Sequence, residues 1–451
     1  PTINNTETAM TLFPILDVPT AQSSLLLRRP PDEIPVPPAV SQRLAELFGE
    51  DLTPAQAVQR ILRDVRTRGD QAVRDWGQRL DGAAPDSLRV PPEELRQALA
   101  ELPADLRAAL QESADRVRAF YQRQPLTSWI TNASGGTLGQ WVRPIRRVGL
   151  YVPAGTAPLP SSVIMSAVPA QVAGVPEIVL AAPPARGTGR IAPVILAAAA
   201  LLGIEEVYVM GGAQAVAALA YGTPSVPPVD KIFGPGNLFV TLAKREVYGL
   251  VGIDSLAGPT ETLIIADDSA RPDWVAADLL AQAEHDVLAS AVLLTPSPRL
   301  AEAVRSQVLS QMQTLSRISI LQTSLSQSSG AVLIRDLDEA AALANAFGAE
   351  HLCLSVADPW RLAEKITCAG GVFLGEHSCE VLGDYAAGPS HVMPTGGSAR
   401  FSSPVNVWDF AKLISLVALD PQTAAQISRS AARLADAEGL DGHAAAARMR
   451  Q

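Results

Sequence analysis

Apolar residues between 53 and 124 recur with the spacing of a helix face. Ala57, Ile61, Leu62 and Val65 lie one, three and four apart, and Leu106, Leu110, Val117 and Phe120 continue the stripe. Pro91, Pro92 and Pro103 punctuate it, because proline lacks the amide hydrogen a helix interior needs. The pattern then changes. Short apolar runs at 148–152, 177–182, 207–210 and 231–233 predict strands, separated by helical stretches at 161–174, 191–203, 213–220 and 237–247. Strand candidates at 262–266, 291–295, 331–334, 352–356 and 371–374 continue the alternation, with helices at 272–288 and 337–347. Strand and helix alternating across short Gly/Pro joints imply parallel βαβ units, so the fold class is α/β.

This pattern divides the chain. Residues 1–40 are Pro-rich and read as an arm. Residues 147–258 form one α/β domain. Residues 41–146 with 259–404 form the main one, the early helices packing on its sheet. Residues 405–451 read as an Ala-rich helical segment that docks on the body or on a second subunit.

Composition narrows the function. Hydrophobic residues make up 47% and charged residues 18%, which is a globular balance. Lys and Arg number 36 against 46 Asp and Glu, and the resulting charge of −10 disfavours a nucleic-acid partner, which needs a positive field. Three cysteines, Cys353, Cys368 and Cys379, make no disulfide framework and point to a reducing, cytoplasmic setting. The first twelve residues lack the basic-then-apolar order of a signal peptide. The apolar run at 191–204 is too short for a bilayer, which takes about 20 residues, so no membrane association is expected.

Histidines locate the chemistry, since there are only five: His285, His351, His377, His391 and His443. Gln282 and His285, three apart in a predicted helix, share one face and can share a ligand, though two donors alone read first as a polar pair on a helix face. Glu350-His351 sits at a helix-to-strand junction and offers two bases of different strength. Asp384 lies in a Gly-rich loop, 383–391, where turn chemistry is the plainer reading. No Gly-x-Gly-x-x-Gly follows a predicted strand. Gly211-Gly212 and Gly234-Pro235-Gly236-Asn237 are the nearest phosphate-loop candidates, and taken alone both read first as plain tight βα turns.

Together these segments resemble the histidinol dehydrogenase family over nearly the whole chain after residue 12. The motifs are Arg147-Val-Gly-Leu-Tyr-Val-Pro153, Met210-Gly-Gly-Ala-Gln-Ala-Val216, Phe233-Gly-Pro-Gly-Asn237, Ala257-Gly-Pro-Thr-Glu261 and Leu280-Ala-Gln-Ala-Glu-His285. Glu350-His-Leu352, Gly383-Asp-Tyr385, His391-Val-Met-Pro-Thr395 and Glu438-Gly-Leu-Asp-Gly-His443 follow in family order. The resemblance implies two incomplete Rossmann-like layers of aldehyde-dehydrogenase type, a helical N-terminal region and a small helical C-terminal tail. It implies NAD-dependent oxidation of histidinol, through the aldehyde, to histidine. By the same likeness Gln282, His285, Asp384 and His443 are zinc ligands, the last supplied across a homodimer. Glu350 and His351 are the catalytic pair. Tyr151, Gln214 and Asn237 contact NAD. Thr260, His391 and Glu438 contact the substrate together with His351 and the metal ligands. In this scheme His351 takes protons in both oxidations and Glu350 activates water between them.

The chain departs from the family pattern at Ala154, Thr260, Cys379 and Ser390, which stand where Gly, Ser, Pro and Asn are commoner. None removes a ligand or base. Three rival readings remain at this stage. One is a cysteine-nucleophile aldehyde dehydrogenase using Cys353, whose apolar setting instead suggests an inert thiol. Another is a relative of the same fold acting on a different alcohol. The third is a non-catalytic binding or structural protein, which gives no reason for Glu350-His351 and the four ligand types to coexist.

Overall fold

The computed structural model describes residues 12–28, 38–83, 85–154, 157–185 and 187–451. Two parallel sheets dominate. In the first the strand order is Glu206–Val209, Glu177–Ala182, Arg147–Tyr151, Lys231–Phe233, Gly252–Ile253. Numbered along the chain from Arg147, that order is 3-2-1-4-5, with neighbours paired in parallel. The strands are near-continuous apolar runs because both faces are covered. Val148, Leu150 and Leu180 face one core with helices Pro160–Val172 and Pro193–Leu201. Tyr151, Val179 and Ala181 face the other with helices Gly212–Tyr221 and Leu238–Val247.

The second sheet repeats the plan. From the Glu261–Ala266 strand the order is again 3-2-1-4-5, using Ser290–Thr295, Gly330–Leu333, His351–Ser355 and Gly371–Leu374. A sixth strand, Ile15–Asp17, pairs in parallel with Gly330–Leu333 at the edge. Part of the expected arm is therefore a sheet strand; residues 1–11 and 29–37 of that arm lie outside the described residues.

Two expectations are corrected. The early helices do not pack on the 259–404 sheet. Helices Pro54–Arg68 and Asp70–Asp81 bury Val58, Ile61, Val65 and Trp76 against one face of the 147–258 sheet. Helices Pro92–Glu101 and Ala104–Tyr121 bury Leu95, Leu110 and Val117 against the other. An amphipathic stripe fixes which face is buried but not which sheet receives it. Second, the segment after Val405 is not wholly helical. Ala411–Ala418 is a strand, antiparallel to Thr137–Pro144, which also pairs with Trp129–Thr131. Helices Pro421–Ala437 and Asp441–Arg448 follow.

Candidate active site

Asp336 caps helix Leu337–Phe347 through the Glu339 amide, and Gly348, at φ +58, ends it in a left-handed turn. The chain then passes Ala349 and Glu350 and enters the strand at His351. His351 pairs with Thr262 on one side and Gly371 on the other, so the pair stands at the amino end of this sheet. Parallel α/β sheets usually bind ligands at their carboxyl ends.

Thr260 and Glu261, entering the neighbouring strand, hold the carboxylate. Glu350 Oε2 accepts from Thr260 Oγ1 at 2.6 Å and from the Glu261 amide at 3.0 Å. Thr260 Oγ1 in turn accepts from Gln282 Nε2 at 2.5 Å. His351 Nδ1 lies 3.2 Å from both the Glu261 carbonyl oxygen, which accepts, and Gln282 Nε2, which donates; the neighbouring carboxylates that favour a protonated ring put a hydrogen on Nδ1, directed at the carbonyl, and leave Nε2 as the exchanging nitrogen. His351 Nε2 faces Asp384 Oδ1 at 3.4 Å. Asp384 rides on a one-turn π-helix, Gly383–Ala387, a geometry often found at functional sites. Its backbone oxygen accepts from His391 Nδ1 at 2.8 Å, and His391 Nε2 lies 3.3 Å from Ser162 Oγ. Ser162 opens a helix of the other layer, so the site spans both sheets.

Helix Ala104–Tyr121 ties the layers together. Its Arg116 and Ser113 donate to the Ala386 and Tyr385 carbonyls of the π-turn. Tyr121 Oη donates to the Val405 carbonyl at 2.7 Å and accepts the Ser390 amide at 2.9 Å.

Burial dominates the electrostatics. It pushes Glu350 up to about 7, against the pull of His351 and the Thr260 hydroxyl. Burial opposes a charged His351, yet Glu350, Asp384 and Glu380 outweigh it and push the imidazole up to about 10. Burial also raises Glu380, to about 8. Burial lowers His285 and His391, favouring neutral rings. Burial works against charge on Asp384 too, but the hydrogen bond and charge of His351 hold its carboxyl below the ordinary value.

The expected metal donors are partly assembled. Helix Pro272–Ala283 ends just after Gln282, so His285 lies in the following turn and not inside a helix as expected. Gln282 is 1% exposed, its amide nitrogen is engaged, and no donor among the described residues meets its Oε1. A bare amide oxygen, a neutral imidazole and an ionised carboxylate fit a zinc-like ion in donor type. Among the described residues no three His, Cys, Asp or Glu side chains gather as a metal group, so one chain alone leaves the set short. Glu438, just past the end of helix Pro421–Ala437, and His443, on helix Asp441–Arg448, are exposed, and among the described residues no hydrogen bond or ion pair joins either to the cluster.

The dinucleotide candidates lie in the first sheet. Tyr151 ends its first strand and Asn237 follows its fourth, flanking the point where strand order reverses. Such switch points are the usual dinucleotide crevice. Asn237 caps the next helix, accepting from the Phe239 and Val240 amides. Gly234 packs on the Tyr151 carbonyl, where any Cβ would come within 2.0 Å. Tyr151 Oη accepts the Gly212 amide at 3.2 Å. Gln214 is buried with its Oε1 unpartnered, a vacant acceptor at the first turn of its helix.

Sequence reading missed several supports. Lys244, 2% exposed, donates to the Gly234 carbonyl at 2.9 Å and pairs with Asp254, which accepts the Gly234 amide. Glu261, Glu380 and Ser162 were not singled out either. A lone polar residue inside an apolar run carries no local signal of its partner; only a buried-charge argument would have flagged Lys244, once its helix was known to be covered.

Two parallel sheets of the same strand order, with a buried carboxylate–imidazole pair at the amino end of one, define the class: a two-layer α/β protein with an enzyme-like polar site. The family model for histidinol dehydrogenase matches residues 50–451. The histidinol dehydrogenase of Deinococcus radiodurans is 54% identical over 432 residues, 95% of this chain and 98% of that protein. That of Moorella thermoacetica is 52% identical over 400 residues, 88% of this chain and 94% of its own. The crystal structure of histidinol dehydrogenase from Elizabethkingia anophelis superposes with a TM-score of 0.87 at 35% identity, covering 97% of each chain. The chain belongs to the histidinol dehydrogenase family.

Proposed function

We propose that this chain oxidises histidinol through its aldehyde to histidine, in two NAD-linked steps at the Glu350–His351 pair. The observation that carries this reading is the locked pair itself. Glu350 is held by Thr260 and Glu261, and His351 is set between Glu261 and Asp384. NAD would supply the hydride acceptor, and a zinc ion would be held by Gln282, His285, Asp384 and His443 of a second subunit and would supply Lewis acidity there.

This chain's residues do the proton work. His351 Nε2 takes the hydroxyl proton in each oxidation while Glu261 steadies Nδ1–H. A cation held at Asp384 would offset one of the carboxylates that keep His351 protonated and would favour Nε2 as a base. Glu350, raised toward neutrality by burial, activates the water that hydrates the aldehyde. Thr260, His391 and, from the second subunit, Glu438 orient the substrate. Tyr151, Gln214 and Asn237 line the NAD crevice, with the vacant Gln214 oxygen as acceptor.

A homodimer completes the site. Leu413, Val417, Leu434 and Met449 are exposed on the same C-terminal module that carries His443, an apolar surface suited to a second copy. Three free cysteines suit the cytoplasm, and among the described residues no helix is long and apolar enough to cross a membrane. The test is a spectrophotometric assay with histidinol and NAD, with and without a chelator. Two NADH per histidinol and loss on chelation are expected. No NADH from histidinol, with turnover of another alcohol, would instead favour a relative of different specificity.

A further inference from the structure

Arg28 precedes the span matched by the family model and lies in a segment to which patterning assigns no role. We infer that Arg28 is a positioning residue for the Glu350–His351 pair, acting through Glu261; the inference rests on the proposed role of that pair. The Arg28 fork engages both oxygens of the Glu261 carboxylate, with Nη2 2.8 Å from Oε2 and Nη1 bonded to Oε1. Its Nε donates to the Phe347 carbonyl at 2.8 Å, and its guanidinium carbon lies 3.5 Å from the Phe347 ring centroid.

Each contact lands next to the chemistry. Phe347 ends the helix three residues before Glu350. Glu261 is 7% exposed, and its two peptide groups orient the pair: the amide donates to Glu350 Oε2 and the carbonyl faces His351 Nδ1. A single guanidinium therefore pins both chain segments that set the distance and angle between acid and base. It also neutralises a buried carboxylate that would otherwise repel Glu350. The Gly396 amide is the other donor to Glu261, at 3.3 Å, and carries no full charge. Lysine cannot reproduce this arrangement, because one ammonium is a point charge and cannot span two carboxylate oxygens and a carbonyl in one plane.

A purely structural role predicts lower thermal stability with unchanged turnover in the folded fraction. Positioning predicts more. In holoenzyme corrected for folded fraction, Arg28→Ala should lower kcat about tenfold or more, since small displacements of reacting groups are costly. The KM for histidinol should stay within about threefold, and added methylguanidinium should restore kcat. Arg28→Lys, which keeps the charge and guards against a folding failure, should fall between the two and resist rescue. Nitrogen-15 NMR of the histidine rings, with His351→Asn as the assignment blank, reads the geometry without turnover. The wild type should show a protected Nδ1–H on His351 that Arg28→Ala loses. A folded Arg28→Ala protein that keeps the wild-type kcat or ring signal overturns the inference. A wild type that makes no NADH from histidinol overturns the functional proposal instead, and the ring signal then decides the role of Arg28.

Discussion

Glu350 is buried yet holds two hydrogen bonds on one oxygen, so its second oxygen is the one available to water. Glu350→Gln keeps the shape but loses the base. Rapid-mixing measurement should show the aldehyde oxidation slowed more than the alcohol oxidation, by the 10²–10⁴-fold that general-base help is usually worth (about that range). Equal slowing of both would assign Glu350 another role. Cys353 tells the opposite story. Burial pushes its thiol well above the ordinary range, and it sits inside a fully buried strand. A nucleophile needs the thiolate, so Cys353→Ala should keep both oxidations, and loss of the second would revive the cysteine mechanism. Glu380 gives a pH prediction. Its carboxyl rises from an ordinary 4.5 to about 8, chiefly by burial. The folded chain therefore holds a proton that the unfolded chain has released over that interval. The Glu380 contribution to stability is fully present below about 4.5 and is lost as pH rises toward 8. Glu380→Gln should flatten the fall in Tm of the metal-free chain across this window; an unchanged slope would show that other groups dominate. The residue types of the site were legible because histidine is scarce and Glu350-His351 is adjacent in sequence. Arg28, Glu261 and Lys244 were not, because their partners lie 233, 89 and 10 positions away and nothing local marks the pairing.

Elements were legible where the chain carries its own punctuation. The strands Glu177–Ala182, Lys231–Phe233 and Gly371–Leu374 and the helix Leu337–Phe347 have the predicted bounds. Apolar runs cut by Gly and Pro leave little choice of length. Ala411–Ala418 escaped because six of its eight residues are exposed, so no face of it alternates. Its Ala-Lys-Leu-Ile-Ser-Leu-Val-Ala sequence supports a helix equally well until Thr137–Pro144 lies beside it. The Gly234 turn belongs to this scale. At φ +113 and against the Tyr151 carbonyl it admits no side chain. Gly234→Ala should cost about 1–3 kcal/mol of stability. It should also raise the KM for NAD while leaving that for histidinol near wild type. An unchanged KM for NAD would remove the crevice beside Asn237 from the cofactor site.

At the scale of the whole molecule the question is which chain supplies His443. Mixing His443→Ala with His285→Ala, each inactive alone, separates the cases. If His443 acts across the dimer, each heterodimer regains one intact site, and statistical mixing should recover about a quarter of wild-type activity. If it acts within its own chain, nothing is recovered. By itself the sequence determined the α/β class, the alternating strands and the adjacency of Glu350 and His351, because local periodicity and rare residues are properties of short segments. Only the tertiary structure decided that the early helices cover the first sheet, that Ile15–Asp17 joins the second, and that Glu350 and His351 stand at a strand's amino end beside the Arg28–Glu261 ion pair. Those facts depend on which distant surfaces bury one another. That is settled by the summed burial and pairing of the whole chain, and no window of neighbouring residues contains it.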